Sequence, residues 1–174
     1  MRIVTRFATS ADGYVTTPDG WPAHTADPAF GSDDNHGFQE FQKTVDAVLM
    51  GRTTFEPAIG ASRWPWPDLD VFVLGSRRPE GTPDDVVVDS DPRALLEQIR
   101  EANRGGDVHL VGGPKTIETY RALGALDTLG LLVVPIFLGG GMRLTDAVDP
   151  AVGLTLESSR ELPAGTVELN YRPL

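Results

Sequence analysis

The clearest sign of chemistry in the sequence is a junction that occurs three times: an apolar run ends in glycine and basic residues follow. The junctions are Leu49-Met50-Gly51-Arg52-Thr53, Val73-Leu74-Gly75-Ser76-Arg77-Arg78 and Leu110-Val111-Gly112-Gly113-Pro114-Lys115. A cation at a helix start costs roughly 0.3 to 1 kcal/mol unless an anion lies between it and the backbone N–H groups. Since glycine lets the backbone approach a phosphate closely, the pattern predicts a phosphorylated ligand. The alternative is a tight turn at Gly112 and Gly113 with a solvated Lys115.

The second junction differs from the other two because it offers a hydroxyl and two adjacent guanidinium groups, Ser76, Arg77 and Arg78. Arginine binds a terminal phosphate monoester in a bidentate manner. A charged hydrogen bond contributes roughly 1.5 to 3 kcal/mol, which is about ten- to a hundredfold in affinity. This pair of arginines could therefore decide between NADP and NAD.

Several classes of protein are disfavoured by composition and motifs. The sequence has neither G-x-x-x-x-G-K-[ST] nor G-x-G-x-x-G, so a P-loop ATPase or a Rossmann dehydrogenase is not indicated. A net charge of -10 repels nucleic acid, and no cysteine is present for thiolate chemistry or for cysteine-ligated metals. No apolar run is long enough to span a membrane, and we expect a cytoplasmic protein.

Apolar, β-rich runs alternate with amphipathic segments along the chain, which is typical of an α/β fold. We expect one domain over residues 1–174, with a central, mostly parallel sheet, helices on both faces and a C-terminal antiparallel hairpin. Strands are predicted at 3–9, 48–50, 71–76, 86–88, 108–113 and 129–137, and the hairpin at 154–160 and 166–171. Helices are predicted at 34–45, 92–103 and from Pro114 onward, with a short one capped by Thr53 in a Thr-x-x-Glu capping box.

The remaining candidates lie outside the three junctions. The irregular stretch 16–33 is long for a compact domain, which indicates a functional loop or a tolerated insertion. Trp21, Trp64 and Trp66 could stack on a flat heterocycle, although the last two could equally cover the core or a dimer contact. The three histidines show no metal-ligand spacing.

Four segments together resemble a known family, the dihydrofolate reductase superfamily, in the branch that contains the riboflavin reductase domain (the RibD C-terminal domain). The segments are "ATSADGYV" at 8–15, "VLMGRTTFE" at 48–56, "VLGSRRP" at 73–79 and "VHLVGGPKTIETYRALGALDTLGLLVVPIFLGGG" at 108–141. They come in the family's order and cover nearly the whole chain. The resemblance implies an eight-stranded sheet that binds NADPH across its strand ends.

The resemblance also assigns residues to the cofactor and to a small heterocyclic substrate. For the pyrophosphate it implies Gly51, Arg52, Thr53 and Thr54, and for the 2′-phosphate side Ser76, Arg77 and Arg78; the diphosphate would again meet Gly112, Gly113, Pro114, Lys115 and Thr116. Near the nicotinamide and substrate it implies Ala8, Asp12, Gly13 and the turn at Gly139-Gly140-Gly141, with the loop 16–33 closing over them. Trp21 and Phe38 are our further candidates for substrate contacts.

The proton donor is less clearly marked. Folate reductases have an acidic residue that opens the helix before the Met-Gly-Arg strand, with an aromatic residue one turn later, and Asp34 and Phe38 have that spacing. Asp34 is our candidate acid, with Asp33 and Glu40 as rivals, and Asp12 is a second candidate that could instead serve only its Asp-Gly turn. An acid at a helix start also has a structural explanation, since it complements the helix dipole.

The sequence departs from the riboflavin reductases at one position, because Val111 stands where glutamate typically precedes the double glycine. We therefore expect an NADPH-dependent reductase of a pterin-like or pyrimidine-like heterocycle. The protein could form a homodimer. One alternative is a riboflavin-pathway enzyme that reduces 5-amino-6-(5-phosphoribosylamino)uracil. Another is a non-catalytic, oligomeric NADP-binding module.

Overall fold

The computed structural model describes residues 1–29, 36–145 and 151–174. Its contacts divide the chain into two compact units. The first unit comprises Met1–Val4 and Lys43–Leu126, and the second comprises Thr5–Gln42 and Asp127–Leu174. A single domain over 1–174 stays a prediction.

The described residues form an eight-stranded sheet in the order β4-β3-β2-β5-β1-β6-β8-β7. Strand β1 contributes residues to both units. The pairs β1–β5, β2–β5, β2–β3 and β3–β4 are parallel, whereas β6–β8 and β7–β8 are antiparallel. This confirms the predicted α/β class with its C-terminal antiparallel hairpin. The strands are β1 (Ile3–Ser10), β2 (Val45–Gly51), β3 (Asp70–Leu74), β4 (Val87–Asp89), β5 (Asp107–Gly112), β6 (Thr128–Val134), β7 (Leu154–Glu161) and β8 (Val167–Pro173).

The α-helices of the described residues are α1 (Phe38–Gln42), α2 (Arg52–Phe55), α3 (Pro92–Ala102) and α4 (Pro114–Ala122). Short 3₁₀ segments occur at Ala23–Ala26, Glu56–Ala58 and Pro163–Gly165. Helix α3 forms as predicted: the Asp91 carboxylate accepts hydrogen bonds from the N–H groups of Arg93 and Ala94, and Leu95, Leu96 and Ile99 form its buried face. Pro114 is the first residue of α4, where its missing N–H costs nothing, which confirms that prediction.

Two local predictions are wrong. The helix expected to continue to Val45 ends at Gln42, because Val45 is a buried residue of β2 and pairs with Asp107 of β5. Thr53 does not cap a helix, since Gly51 is the N-cap residue of α2 and Arg52 is its first residue. In both cases strand pairing in the sheet set the boundary, which local spacing does not reveal.

Each unit has its own apolar core. In the first unit Val48 and Met50 of β2 pack with Val71 and Val73 of β3 and with Phe55 of α2. All residues from Ala47 to Gly51 are buried, so β2 is covered on both faces as a central parallel strand requires. The second core contains Ala8, Ala23, Leu132 and Val134. No helix within the described ranges is long and apolar enough to cross a membrane.

Candidate functional site

The three glycine–base junctions lie side by side in the first unit. Strands β3, β2 and β5 are neighbours and run parallel, with Gly51 opposite Leu74 on one side and Met50 opposite Gly112 on the other. Their carboxyl ends therefore meet at the same edge of the sheet, which is where open α/β sheets bind ligands. We call this group of residues the strand-tip site. It comprises Gly51, Gly75 and Gly112 together with the segments that follow each of them.

Close approaches between the three segments make glycine necessary at the strand-tip site. A Cβ atom on Gly51 would lie 2.5 Å from the Thr116 Oγ1 atom, and one on Gly75 would lie 3.0 Å from the Arg52 Cβ atom. A Cβ atom on Gly113 would lie 3.5 Å from the Thr54 Oγ1 atom, which is an ordinary contact. The segments after β2, β3 and β5 are thus in direct contact. A side chain at Gly51 would force a shift of its neighbour, and one at Gly75 would be tight against Arg52.

Gly112 is glycine for a different reason. Nothing lies near the position of a Cβ atom on Gly112, but its φ angle is +145°, a conformation that residues with side chains rarely adopt. The peptide bond from Gly112 to Gly113 is cis. The Gly113 carbonyl then accepts hydrogen bonds from the N–H groups of Thr116 and Ile117, at 2.9 and 3.1 Å, which starts α4. Lys115 is exposed in the first turn of that helix, as both interpretations of the junction allow.

Arg52 and Arg77 share one carboxylate oxygen. The Arg52 Nη1 atom lies 2.5 Å from the Glu56 Oε1 atom, and the Arg77 Nη2 atom lies 3.5 Å from that same oxygen. Glu56 is predicted to form a capping box with Thr53, but in the structure its carboxylate pairs with the two arginines. Sequence reasoning missed that the Glu56 carboxylate forms ion pairs. The spacing of four residues between Arg52 and Glu56 is the sequence signal that indicates such a pair.

The two adjacent arginines do different things. The Arg78 guanidinium donates hydrogen bonds to the carbonyl groups of Val86, at 2.7 Å, and Pro83, at 2.5 Å, so it holds the chain that leads into β4. The Arg77 side chain is 70% exposed, and its ion pair within the described residues is with Glu56. Ser76 is exposed next to it. Of the predicted pair, Arg77 is therefore the arginine available to a ligand.

In the second unit, the Asp12 carboxylate links the turn that follows β1 to the turn around Gly139. Its carboxylate accepts hydrogen bonds from the N–H groups of Leu138, at 3.1 Å, and Gly139, at 2.8 Å. The pKa of Asp12 is lowered to about 2. The largest cause is the hydrogen bond with the Ser10 side chain, and the two backbone hydrogen bonds act in the same direction. A carboxylate this acidic is ionised at neutral pH, which favours the turn role of Asp12 over proton donation.

The other predicted substrate residues of the second unit are placed differently from one another. Ala8 is buried in the core, so a ligand could meet only its backbone. Gly13 adopts a φ angle of +87° in the turn after Asp12, and Gly140 is half-buried in the turn that Asp12 holds. The hydrogen bonds of Asp12 thus bring the predicted segments 12–13 and 139–141 together.

The aromatic candidates and the candidate acids give a mixed result. Phe38 is the first residue of α1 and packs against the second core, and Trp21 is 64% exposed. Glu40 is exposed on α1. Asp34 and its rival Asp33 lie outside the described residues, so their role stays a prediction.

Sequence reasoning missed a buried charged cluster in the second unit. The Arg6 Nε atom lies 2.8 Å from the Glu168 Oε1 atom, with side chains that are 4% and 6% exposed, and Arg160 contacts the other oxygen of Glu168. The Arg6 guanidinium also donates to the His36 carbonyl and lies 4.8 Å from the centre of the Phe38 ring. The signal was a single arginine inside the apolar run IVTRFATS, since a charge is buried only when it is paired.

A second buried pair lies in the same unit. The His36 Nε2 atom is 3.6 Å from the Asp27 Oδ2 atom, and both side chains are about as buried as the Arg6–Glu168 pair. The pKa of His24 is lowered to about 4. Burial is the largest cause, the nearby His36 acts in the same direction, and Asp27 opposes the shift. His24 is therefore neutral at pH 7.

An open cavity of about 390 Å³ also lies in the first unit, between α3 and the strands β3 and β4. Its lining includes the carboxylates Asp70, Asp85 and Glu101 and none of the predicted site residues. Because carboxylates repel phosphate, this cavity does not suit a phosphorylated ligand.

Comparison with known proteins decides the family. The model of the RibD C-terminal domain family matches residues 2–167. The chain belongs to the RibD C-terminal domain family. This confirms the resemblance on which the sequence analysis relied.

Two curated Bacillus subtilis (strain 168) proteins in this comparison have names that state no function. The uncharacterized protein YwjB is 26% identical over 173 residues, covering 98% of this chain and 97% of YwjB. The uncharacterized protein YyaP is 25% identical over 186 residues, covering 98% of this chain and 94% of YyaP.

Solved structures of RibD-type proteins share the fold. A protein from Shewanella sp. PV-4, provisionally named a riboflavin biosynthesis protein, has a TM-score of 0.82 at 23% identity and covers 100% of this chain and 99% of its own. Acinetobacter baumannii RibD has a TM-score of 0.72 at 16% identity, covering 99% of this chain and 58% of its own. A Thermotoga maritima diaminohydroxyphosphoribosylaminopyrimidine deaminase/5-amino-6-(5-phosphoribosylamino)uracil reductase has a TM-score of 0.70 at 16% identity, covering 99% of this chain and 56% of its own.

Proposed function

We propose that this protein is an NADPH-dependent reductase that transfers hydride to a small heterocycle of the pterin or pyrimidine type. The observation that carries the proposal is the strand-tip site, where three glycine–base junctions lie on neighbouring parallel strands of one unit. Separate junctions can hold one extended, phosphorylated dinucleotide only if they share an edge of the sheet.

The residues at the strand-tip site fit a dinucleotide phosphate. Gly51 has no room for a side chain, and a side chain on Gly75 would be tight against Arg52, so backbone is presented at these positions. The Thr54 hydroxyl lies beside Gly113 and the Thr116 hydroxyl beside Gly51, so both segments bring hydroxyl groups to the phosphate region. Arg77 supplies an exposed guanidinium for the 2′-phosphate side. The site thus combines close backbone approach with positive charge.

The bound cofactor would supply the hydride, and the chain would bind and orient it. Glycine and threonine segments after β2 and β5 would hold the diphosphate, and Arg77 would select the phosphorylated ribose. In the second unit, Asp12 fixes the turn at 138–140 as an ionised acceptor and does not hold a proton at neutral pH. Asp34 remains our proposed acid.

The test is a titration of the protein with NADPH and NADH, followed by tryptophan fluorescence and melting temperature. We expect NADPH to bind far more tightly than NADH, and Arg77→Ala to weaken NADPH by about ten- to a hundredfold with little effect on NADH. Arg100→Ala is the control, since Arg100 is an exposed arginine near the end of α3 that pairs only with Glu97 among the described residues. Equal, weak binding of both nucleotides by the unaltered protein would exclude the proposal.

A riboflavin-pathway reductase is the second candidate, favoured by the family match over residues 2–167. In that case the substrate is a ribosylaminopyrimidine phosphate. Complementation of a strain that lacks this reductase separates the two candidates, because a reductase of free pterins does not restore growth. A non-catalytic NADP-binding module would bind NADPH and never oxidise it with any of a panel of pterins, pyrimidines and quinones.

The setting of the reaction is part of the same proposal. We propose a cytoplasmic location, with which the cysteine-free composition is compatible. We also propose a homodimer without a nucleic-acid partner, which sedimentation of the purified protein would test.

A further inference from the structure

Glu56 is the acidic side chain that meets the cationic residues of the strand-tip site. Its Oε1 atom lies 2.5 Å from the Arg52 Nη1 atom and 3.5 Å from the Arg77 Nη2 atom. The three side chains are 34%, 30% and 70% exposed, for Glu56, Arg52 and Arg77 respectively, so all of them can be reached from solvent. Arginines also bind phosphate oxygens, so a phosphate and the Glu56 carboxylate would compete for the same guanidinium groups.

A phosphate that approaches Arg77 therefore meets a negative charge already in place. Binding requires Arg77 to leave Glu56, and the phosphate then lies within several ångström of the carboxylate. A nucleotide that has a 2′-hydroxyl group instead of a 2′-phosphate carries no charge at this point, so it meets only the repulsion of Glu56 for the phosphates that both cofactors share. Glu56 should thus act differently on the two cofactors.

Resting on the function proposed above, we propose that Glu56 is a specificity-determining residue that weakens the preference of this protein for NADPH over NADH. Its carboxylate competes with the 2′-phosphate for Arg77 and keeps Arg52 turned toward the start of the 3₁₀ segment Glu56–Ala58. The long contact to Arg77 is the one that opens, because this side chain is the most exposed of the three.

The expected size of the effect follows from the Coulomb energy of like charges near a protein surface. For a separation of about 6 Å and an effective dielectric constant between about 20 and 80, removing Glu56 should raise NADPH affinity by about 3- to 100-fold near neutral pH. Added salt screens exposed charges, so the gain should shrink at high ionic strength. An ordinary surface ion pair within a helix would change only the melting temperature slightly and leave cofactor preference as it was.

The experiment is calorimetric titration of Glu56→Gln and Glu56→Ala with NADPH, NADH, 2′,5′-ADP and 5′-AMP, at low and high salt. Glu97→Gln is the matched control, because Glu97 pairs with Arg100 at 2.6 Å on the exposed surface of α3. We expect tighter binding of NADPH and 2′,5′-ADP by both Glu56 variants, distinctly smaller gains for NADH and 5′-AMP, and no change for Glu97→Gln. In an Arg77→Ala background the gain should disappear.

The outcomes separate this inference from the proposed function. If both nucleotides bind but the NADPH/NADH ratio is unchanged or falls in the Glu56 variants, this inference is wrong and the proposed function stands. If the folded protein and its variants bind neither nucleotide, both are wrong. A gain that persists without Arg77 would also overturn the inference, because the competition would then lie elsewhere.

Discussion

The two compact units hold their predicted functional segments by different physical means. In the first unit, Gly51 lies so close to the Thr116 side chain that it has no room for a methyl group, and the charges of Arg52, Glu56 and Arg77 can be reached from solvent. In the second unit, the charges of Arg6 and Glu168 are buried as a pair, and an ionised carboxylate fixes a turn. The first arrangement depends on volume and the second on charge. A site that must accept a phosphate keeps its own charges exposed, whereas a structural ion pair is stable only when it is fully paired.

The largest expected effect comes from the buried pair of the second unit. Glu168→Gln leaves the Arg6 guanidinium buried without its counter-charge, and we expect a loss of about 3 to 5 kcal/mol in the free energy of unfolding, measured in urea. Arg160→Ala is the control, because its side chain is 61% exposed on the same carboxylate and should cost less than about 1 kcal/mol. Equal losses for the two variants would mean that burial does not set the cost.

Lowering the pH should destabilise the second unit, because His24 must then take up a proton in a partly buried place. Its pKa is lowered from 6.5 to about 4, so the unfolded chain takes up the proton first as the pH falls. The stability that His24 contributes is complete above pH 6.5 and is lost toward pH 4, by as much as about 3 kcal/mol. The measurement is unfolding free energy against pH for the unaltered protein and His24→Gln. A variant that keeps the full slope over this window would contradict the assignment.

Adding a side chain at Gly51 should destabilise the first unit. Gly51→Ala places a Cβ atom 2.5 Å from the Thr116 Oγ1 atom, and we expect a loss of about 1 to 3 kcal/mol in stability. A double-mutant cycle with Thr116→Ala should recover part of it, because the oxygen is then gone. In the second unit Gly140→Ala meets only Pro18, at 3.6 Å, and should change stability little. Strict additivity in the cycle would refute the steric explanation.

The smallest effect concerns Asp12. Because its pKa is lowered from 3.8 to about 2, its contribution is present above pH 3.8 and disappears as the pH falls through 2. Asp12→Asn should melt at a lower temperature than the unaltered protein at pH 5, and the difference should narrow toward pH 2. A constant difference over this range would indicate that the charge is irrelevant to the turn.

Much of the fold could be predicted because its signals are local. The apolar runs ending at Gly51 and Gly112 are strands, Pro114 starts α4, and the C-terminal hairpin forms where turn residues separate two β-rich runs. Boundaries failed where a partner decided them, as at Val45. For the site, the glycines were recognisable from type and spacing, but the division of labour between Arg77 and Arg78 was not. It depends on which carbonyl groups lie within reach.

The sequence by itself determined the order of strands and helices along the chain, the glycine–base junctions and the family, because propensity, turn chemistry and motif spacing act over a few neighbouring residues. Only the tertiary structure decided that β3, β2 and β5 are neighbours, that Glu56 lies between two arginines, and that Arg6 meets Glu168. Strand order and the burial of charges arise from contacts between segments far apart in the chain. The energy of such contacts depends on which surfaces meet, and local sequence does not encode that.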